Sequence, residues 1–122
     1  MAFKILLVDD EPFMRNSIIR ELRGLDMEII EKENGSEALS EFLDQENLHK
    51  PFDLLITDNE MPKLKGLELI DNLQGHFPNL PIILLSGTLN VEDVPERVVF
   101  INKPWEHNKI KELVEQIIDR TK

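Results

Sequence analysis

Short apolar runs alternate along this chain with longer segments whose apolar residues recur at helical spacing, and this alternation constrains the fold more than any other feature. Short apolar runs bounded by turn-forming residues are typical of buried strands. Strands that alternate with amphipathic helices predict right-handed crossovers and a parallel sheet covered by helices on both faces. We therefore expect an α/β fold with a doubly wound parallel sheet of five strands. The predicted strands cover residues 5–8, 27–31, 52–58, 82–85 and 98–101.

The helices are predicted from the residues between these strands. Pro12 suits the first turn of the first helix, which is expected to end near Gly24. Ser36 is the expected N-cap of the second helix, and the polar segment 45–51 is expected to be a linker. The third and last helices carry apolar stripes, formed by Leu67, Ile70 and Leu73 and by Ile110, Leu113, Val114, Ile117 and Ile118.

Composition limits the class of protein. A chain of 122 residues is expected to form one domain, residues 1–122. Its net charge of -10 repels phosphate backbones, so we expect no direct binding of nucleic acid. The absence of cysteine excludes disulfides and thiol catalysis and fits a reducing cytosol. No apolar run approaches the ~20 residues that a membrane span needs, so we expect a cytoplasmic protein without a membrane anchor.

Polar side chains follow four of the five predicted strands. Asp9 and Asp10 follow the first strand, Asp58 ends the third, Ser86 follows the fourth, and Lys103 lies just beyond the fifth. The carboxyl ends of parallel strands emerge at one edge of the sheet, which is where open α/β sheets bind ligands. Each residue alone is compatible with a role in a turn. Together, on separate strands, they predict one shared site.

The residue types in this set suit phosphoryl transfer. Three neighbouring carboxylates raise one another's pKa unless a cation neutralises them, and hard oxygen ligands at a hydrated site favour Mg²⁺. Lys103 adds a positive charge, and the Ser86 hydroxyl adds a hydrogen-bond donor beside Asp58. Such groups can surround a tetrahedral anion, and a carboxylate can serve as the nucleophile that forms an acyl phosphate.

With these motifs the chain resembles the receiver domains of bacterial two-component systems, the family of the chemotaxis response regulator. The resemblance covers residues 4 to about 120 and implies a flavodoxin-like fold with strand order 2-1-3-4-5. It rests on the acidic run Val8–Glu11, on Asp58 with Met61, Pro62 and Gly66, on Ser86 with Gly87, and on Lys103 with Pro104.

The resemblance implies that Asp58 is the phosphoacceptor. The donor would be a phosphohistidine on a sensor histidine kinase or on a phosphotransfer protein. Asp10 and Asp58 would bind Mg²⁺ directly and Asp9 through water, and the backbone carbonyl of Glu60 would complete the protein ligands.

The resemblance also implies which residues bind the phosphoryl group and which residue changes conformation in response. Ser86 would bond the phosphoryl group and Lys103 would contact one of its oxygens. Phe100 falls at the position of the family's switch aromatic, with a plain core phenylalanine as the alternative. The domain would be a switch that catalyses its own phosphorylation and dephosphorylation and acts on no external substrate. Its output would pass to a downstream effector protein or to a fused effector domain.

Residues 87–97 depart from the family's pattern. Receivers normally fit a full fourth helix between the positions of Ser86 and Lys103. Here the intervening segment is short and contains Gly87 and Pro95, and a proline breaks the interior of a helix. We expect the fourth helix to be one turn at most or absent, which would remove part of a face through which many receivers signal.

Two other functions stay open at this point. A small Mg²⁺-dependent phosphohydrolase with an aspartyl-phosphate intermediate would need an Asp-x-Asp motif after the first strand and a cap for its substrate, whereas this chain has Asp9–Glu11 there. An interaction module of the same fold that is never phosphorylated would have no need of Asp10, Asp58, Ser86 and Lys103.

Overall fold

The chain forms a five-stranded parallel sheet surrounded by helices, as seen in a computed structural model that describes residues 3–47 and 52–121. The strands are β1 (Phe3–Val8), β2 (Met27–Lys32), β3 (Leu54–Asp58), β4 (Ile82–Ser86) and β5 (Val99–Asn102), in the order β2-β1-β3-β4-β5. The helices are α1 (Pro12–Glu21), α2 (Gly35–Asn47), α3 (Gly66–Gln74) and α4 (Lys109–Thr121). The predicted doubly wound fold and strand order are confirmed. None of the helices in the described part of the chain is long and apolar enough to cross a membrane.

The sheet is buried on both faces, which explains why its central strands read as continuous apolar runs. Alternate side chains of β1 point to opposite sides. Ile5 and Leu7 pack in a cluster with residues of α1 and α4, whereas Leu6 and Val8 pack in a second cluster with residues of α2 and α3. Helices on both faces therefore leave the carboxyl edge of the sheet as the open edge for ligands.

The start of α2 differs from the prediction, because Asn34 and not Ser36 is the N-cap. The Asn34 Oδ1 atom accepts a hydrogen bond from the backbone N–H of Glu37 at 2.9 Å, and its amide donates to the Glu37 carboxylate at 2.7 Å. The first of these bonds is that of an N-cap, and the second joins the side chains of the cap residue and Glu37. The helix runs to Asn47, so the expected linker is partly helical, and residues 48–51 of it lie outside the described residues.

The crossover between β4 and β5 contains a single 3₁₀ turn, Val91–Asp93, in place of an α-helix. The prediction of a shortened or absent fourth helix is therefore confirmed. The side chain of Val91 is 70% exposed, so this turn adds little to the core. At the far end of the crossover, Val98 is buried against the α2 and α3 side of the sheet.

Candidate functional site

The structure brings the predicted polar residues together at the carboxyl edge of the sheet. Oxygen atoms of Asp9, Asp10 and Asp58 lie within 4.8 Å of one another. The Lys103 ammonium lies 2.6 Å from Asp58 Oδ1. The backbone N–H of Lys103 donates to the carbonyl oxygen of Ser86 at 3.0 Å, which extends the pairing of β5 with β4 and aligns the two strand ends.

Asp58 is held rigidly at the end of β3. Its side chain is almost completely buried, and its backbone pairs with Leu85 of β4. The Thr57 hydroxyl donates to the Asp58 carbonyl oxygen at 2.9 Å. Gly66, the first residue of α3, lies directly against this peptide, since a Cβ atom there would come within 2.5 Å of the same carbonyl oxygen. Only glycine lets α3 approach Asp58 this closely, so Gly66 helps to position this residue.

Two carboxylate oxygens of the cluster are buried and poorly satisfied. Asp9 Oδ1 accepts a hydrogen bond from the Glu11 N–H at 2.9 Å, but its Oδ2 has no partner among the described residues. Asp58 Oδ1 accepts no hydrogen bond there beyond its ion pair with Lys103. Burial raises the pKa of Asp9 to about 6, and burial also raises the pKa of Asp58 despite the neighbouring ammonium. Buried carboxylates of this kind require compensation by a cation.

The donor set fits a hard divalent cation. Lys103 supplies one positive charge beside three carboxylates. Burial would lower the pKa of its ammonium, but the ion pair with Asp58 raises this pKa above its usual range. Asp10 is exposed, so water can reach the cluster and complete a coordination shell. Mg²⁺ prefers this combination of one or two carboxylates and several waters.

Ser86 and Glu60 meet at the mouth of the site. The Ser86 hydroxyl donates to Glu60 Oε2 at 2.7 Å, and the Gly87 N–H donates to Glu60 Oε1 at 3.0 Å. The side-chain amide of Asn59 donates to Glu60 Oε2 at 2.9 Å. Burial would raise the pKa of Glu60, but these hydrogen bonds hold it below its usual range. The sequence predicted a role for the Glu60 backbone carbonyl and an acid at the mouth of the site, but it did not predict these hydrogen bonds of the carboxylate.

Asn59 is a residue that the sequence interpretation missed. Its side chain is nearly buried, and its Oδ1 accepts a hydrogen bond from the Leu67 N–H at 3.0 Å while its amide holds Glu60. It therefore connects the end of β3, the first turn of α3 and the acid at the mouth of the site. An asparagine directly after a strand is a known signal for such local bonds to the backbone, and it could have been recognised on that ground.

Phe100 lies apart from the charged groups. It pairs with Leu84 across the β4–β5 ladder, is half-buried and packs against the apolar cluster on the α2 and α3 side. This placement is compatible with both the switch aromatic and the core phenylalanine. Its role as a switch stays a prediction.

The segment after Lys103 is tied to α1. The Trp105 indole N–H donates to Glu21 Oε1 at 3.2 Å, and the backbone N–H of Lys111 in the first turn of α4 donates to Glu21 Oε2 at 2.9 Å. A cavity of about 570 Å³ opens between α1 and this segment, bordered by Lys103 and Trp105. Glu21 therefore helps to set the course of the chain that leaves Lys103.

Sequence and structure comparisons match the chain to a known family. The family profile of the response regulator receiver domain matches residues 5–115. The chain is 30% identical over 119 residues to the chemotaxis protein CheY of Listeria monocytogenes, covering 93% of this chain and 96% of that protein. The crystal structure of a response regulator receiver domain protein from Clostridium thermocellum matches with a TM-score of 0.82 and 26% identity, over 99% of this chain and 97% of that one.

Other relatives are much longer than this chain. It is 31% identical over 123 residues to the two-component response regulator-like protein PRR37 of Oryza sativa subsp. indica, which covers 95% of this chain but 16% of that protein. The chain thus corresponds to a small part of some relatives and to almost the whole of others. With the family profile matched over nearly its whole length, the chain belongs to the family of response regulator receiver domains of two-component systems.

Proposed function

We propose that this receiver domain accepts a phosphoryl group on Asp58 from a phosphohistidine of a sensor histidine kinase or of a phosphotransfer protein. Phosphorylation by a histidine kinase is typical of the family. The observation that carries the proposal is the ion pair of 2.6 Å between the buried Asp58 carboxylate and Lys103. This pair places a nucleophile beside a cation that can contact the oxygens of the incoming phosphoryl group.

Asp10 and Asp58 would hold Mg²⁺ directly, Asp9 would hold it through water, and the Glu60 backbone carbonyl would complete the protein ligands. The bound ion would neutralise charge on the phosphoryl oxygens during transfer. The Oδ2 atom of Asp9 is buried and has no partner within residues 3–47 and 52–121, which supports this assignment because an ion in the cluster would compensate its charge. The use of Mg²⁺ at an acidic pocket is typical of the family.

The chemistry asked of the chain is mainly positioning. A carboxylate oxygen of Asp58 attacks phosphorus, the new O–P bond forms as the N–P bond to the donor histidine breaks, and the electron pair returns to the imidazole nitrogen. Lys103 and the Ser86 hydroxyl stabilise the charge on the transferred oxygens. Attack by water later releases phosphate and restores the carboxylate. The domain thus catalyses its own modification and is a phosphoprotein switch without an external substrate.

The readout would pass through the β4–β5 region to an effector protein or to a fused effector domain. Ser86 and Phe100 are the residues that we propose to shift on phosphorylation, since both belong to these two strands. The charge of -10 argues that the domain itself, proposed to comprise residues 1–122, contacts no nucleic acid. We propose a cytoplasmic location, where a kinase of this class delivers its phosphoryl group.

Phosphorylation by a small-molecule donor tests the proposal directly. Incubation with acetyl phosphate and Mg²⁺ is expected to add the mass of one phosphoryl group, stable in acid and labile in base. The gain should vanish with a chelator and in Asp58→Asn, and it should persist in Asp71→Asn, a matched control on the exposed side of α3. A modification that survives Asp58→Asn would refute the assignment. Steady phosphate release from small phosphomonoesters would favour the phosphohydrolase instead.

A further inference from the structure

We propose that the Glu60 carboxylate occupies the phosphoryl-binding part of the pocket in the unphosphorylated protein and must leave before a phosphoryl group can be held there. The inference rests on the proposed function, because it takes Ser86 as a phosphoryl contact. It concerns a different event, namely the exchange of one anion for another. Glu60 is a positioning residue in this scheme and takes no part in bond formation.

Three donors converge on this one carboxylate. The Ser86 hydroxyl and the Asn59 amide both donate to Oε2, at 2.7 and 2.9 Å, and the Gly87 N–H donates to Oε1 at 3.0 Å. Two of these donors lie at the end of β4, more than twenty positions along the chain from Glu60. The end of β3 and the end of β4 therefore build an anion site, and the chain fills this site with its own side chain.

The same donors cannot serve two anions at once. A hydroxyl and a backbone N–H each carry one proton, so each makes one well-aligned hydrogen bond as a donor. A phosphoryl group on Asp58 that bonds the Ser86 hydroxyl therefore displaces Glu60. Repulsion between the two anions acts in the same direction. The pocket consequently has two arrangements, one with Glu60 bound and one with the phosphoryl group bound.

The acid is placed so that it can leave. Glu60 lies in the turn between β3 and α3, and its side chain is only half-buried, with a path to solvent. Asn59 keeps its second attachment, to the Leu67 N–H, when Glu60 departs, so the start of α3 stays in place. Until then Glu60 keeps the Ser86 hydroxyl and the Gly87 N–H oriented toward an anion. The exchange therefore couples phosphorylation to a movement of negative charge out of the pocket.

Binding of beryllofluoride in the presence of Mg²⁺ measures the exchange without covalent chemistry. Glu60→Ala removes the competing anion and is expected to tighten binding by about tenfold, the scale of one charge-assisted hydrogen bond. Glu60→Asp is the second variant. It keeps the negative charge but shortens the side chain by one methylene, so it separates the effect of charge from that of the hydrogen bonds. It is expected to tighten binding as well, whereas an effect of charge alone would leave its affinity at the wild-type value.

The backbone amide of Gly87 provides a readout that does not depend on phosphorylation. Its proton resonance in the metal-free protein is expected to move upfield in Glu60→Ala, because the hydrogen bond to the carboxylate is lost. With beryllofluoride bound, the wild-type protein and the variant should show the same Gly87 resonance, because a single anion then contacts this N–H in both proteins.

The outcomes separate this inference from the proposed function. Unchanged or weaker binding of beryllofluoride in Glu60→Ala, with binding still abolished by Asp58→Asn, would overturn the inference and leave the function standing. An unchanged Gly87 resonance in metal-free Glu60→Ala would also overturn it. Absence of binding in the wild-type protein would overturn the proposed function itself.

Discussion

The pocket at the carboxyl ends of β1, β3 and β4 and the crossover between β4 and β5 are neighbours in the chain, yet they obey different constraints. In the pocket Asp58 and Ser86 are buried, and the side chains of Asn59 and Glu60 are held by several hydrogen bonds. The crossover, residues 87–97, holds one 3₁₀ turn and is mostly exposed. Close packing is thus concentrated where chemistry needs fixed distances.

The difference explains how a receiver can shorten its fourth helix and keep its site. Ser86 and Lys103 are aligned by strand pairing, through the bond of 3.0 Å from the Lys103 N–H to the Ser86 carbonyl oxygen. The relative position of Ser86 and Lys103 therefore does not depend on the length of the chain that connects them. Loss of the helix changes the surface that a partner meets, and it leaves the polar groups of the pocket in register.

The largest effect is expected from a single methyl group added behind Asp58. Gly66→Ala places a Cβ atom 2.5 Å from the Asp58 carbonyl oxygen and 2.9 Å from Asn59 Cα, both backbone atoms that cannot rotate away. Overpacking of this kind lowers the free energy of unfolding by about 1–3 kcal/mol. We expect slower phosphorylation by acetyl phosphate as well, because Asp58 must shift. Denaturant unfolding and the intact-mass assay measure the two effects.

Gly75→Ala is the matched control for this experiment. Gly75 follows the other end of α3, its backbone is helical and a Cβ atom there meets nothing within 4 Å. The same change should therefore be neutral or stabilise the protein by about 0.4–1 kcal/mol, through the entropy of the unfolded chain. Equal destabilisation by the two substitutions would show that the close contact of Gly66 with the Asp58 peptide is not what makes Gly66→Ala destabilising.

A smaller effect is expected from pH. Burial raises the pKa of Asp58, which adds to the effect of the buried Asp9. The pKa of Asp9 is about 6 in the folded protein against an ordinary 3.8, so the folded state binds a proton that the unfolded chain releases. The metal-free protein should gain about 1 kcal/mol of stability as the pH falls from about 7 to 5. The pKa of Glu60 is lowered from 4.5, so its own contribution is lost only below this window.

Two comparisons check the origin of this pH dependence. Thermal or urea unfolding of Asp9→Asn in chelator should show a smaller gain than the wild-type protein, because Asp58 is then the buried acid that still titrates. Saturating Mg²⁺ should also suppress the gain, since the ion favours the ionised carboxylates and stabilises the folded state at neutral pH. A wild-type protein that loses stability between pH 7 and pH 5 in chelator would contradict the assignment of Asp9 as a buried, uncompensated acid.

The same contrast shows which features were predictable from sequence. The meeting of Asp58 and Lys103 was predictable because parallel strands deliver their carboxyl ends to one edge, whatever the details of packing. The direction of the Glu60 side chain was not, since it depends on donors at the end of β4 that are distant in the chain.

The N-cap of α2 shows the same limit at a helix end. Asn34 and Ser36 are equally good caps by residue type. Gly35 lies between them and packs so closely that a Cβ atom would come within 2.4 Å of the Leu64 carbonyl oxygen. This contact with a loop distant in the chain determines where the first turn of the helix begins. The residues around the helix end give no sign of it, so the N-cap could not be chosen from the local sequence.

The smallest effect is expected at Val91 in the crossover, and Val98, which directly follows the crossover, is its buried counterpart. Val91→Ser alters a side chain that is 70% exposed, so the free energy of unfolding should change by less than about 0.5 kcal/mol. Val98→Ser places a hydroxyl in the cluster on the α2 and α3 side and should cost about 1–3 kcal/mol. Phosphorylation by acetyl phosphate should be unchanged in Val91→Ser, because strand pairing and not the crossover aligns Ser86 with Lys103. Slower phosphorylation in a Val91→Ser protein of full stability would show that the crossover affects the pocket. It would contradict the conclusion that the geometry of the pocket is independent of the crossover.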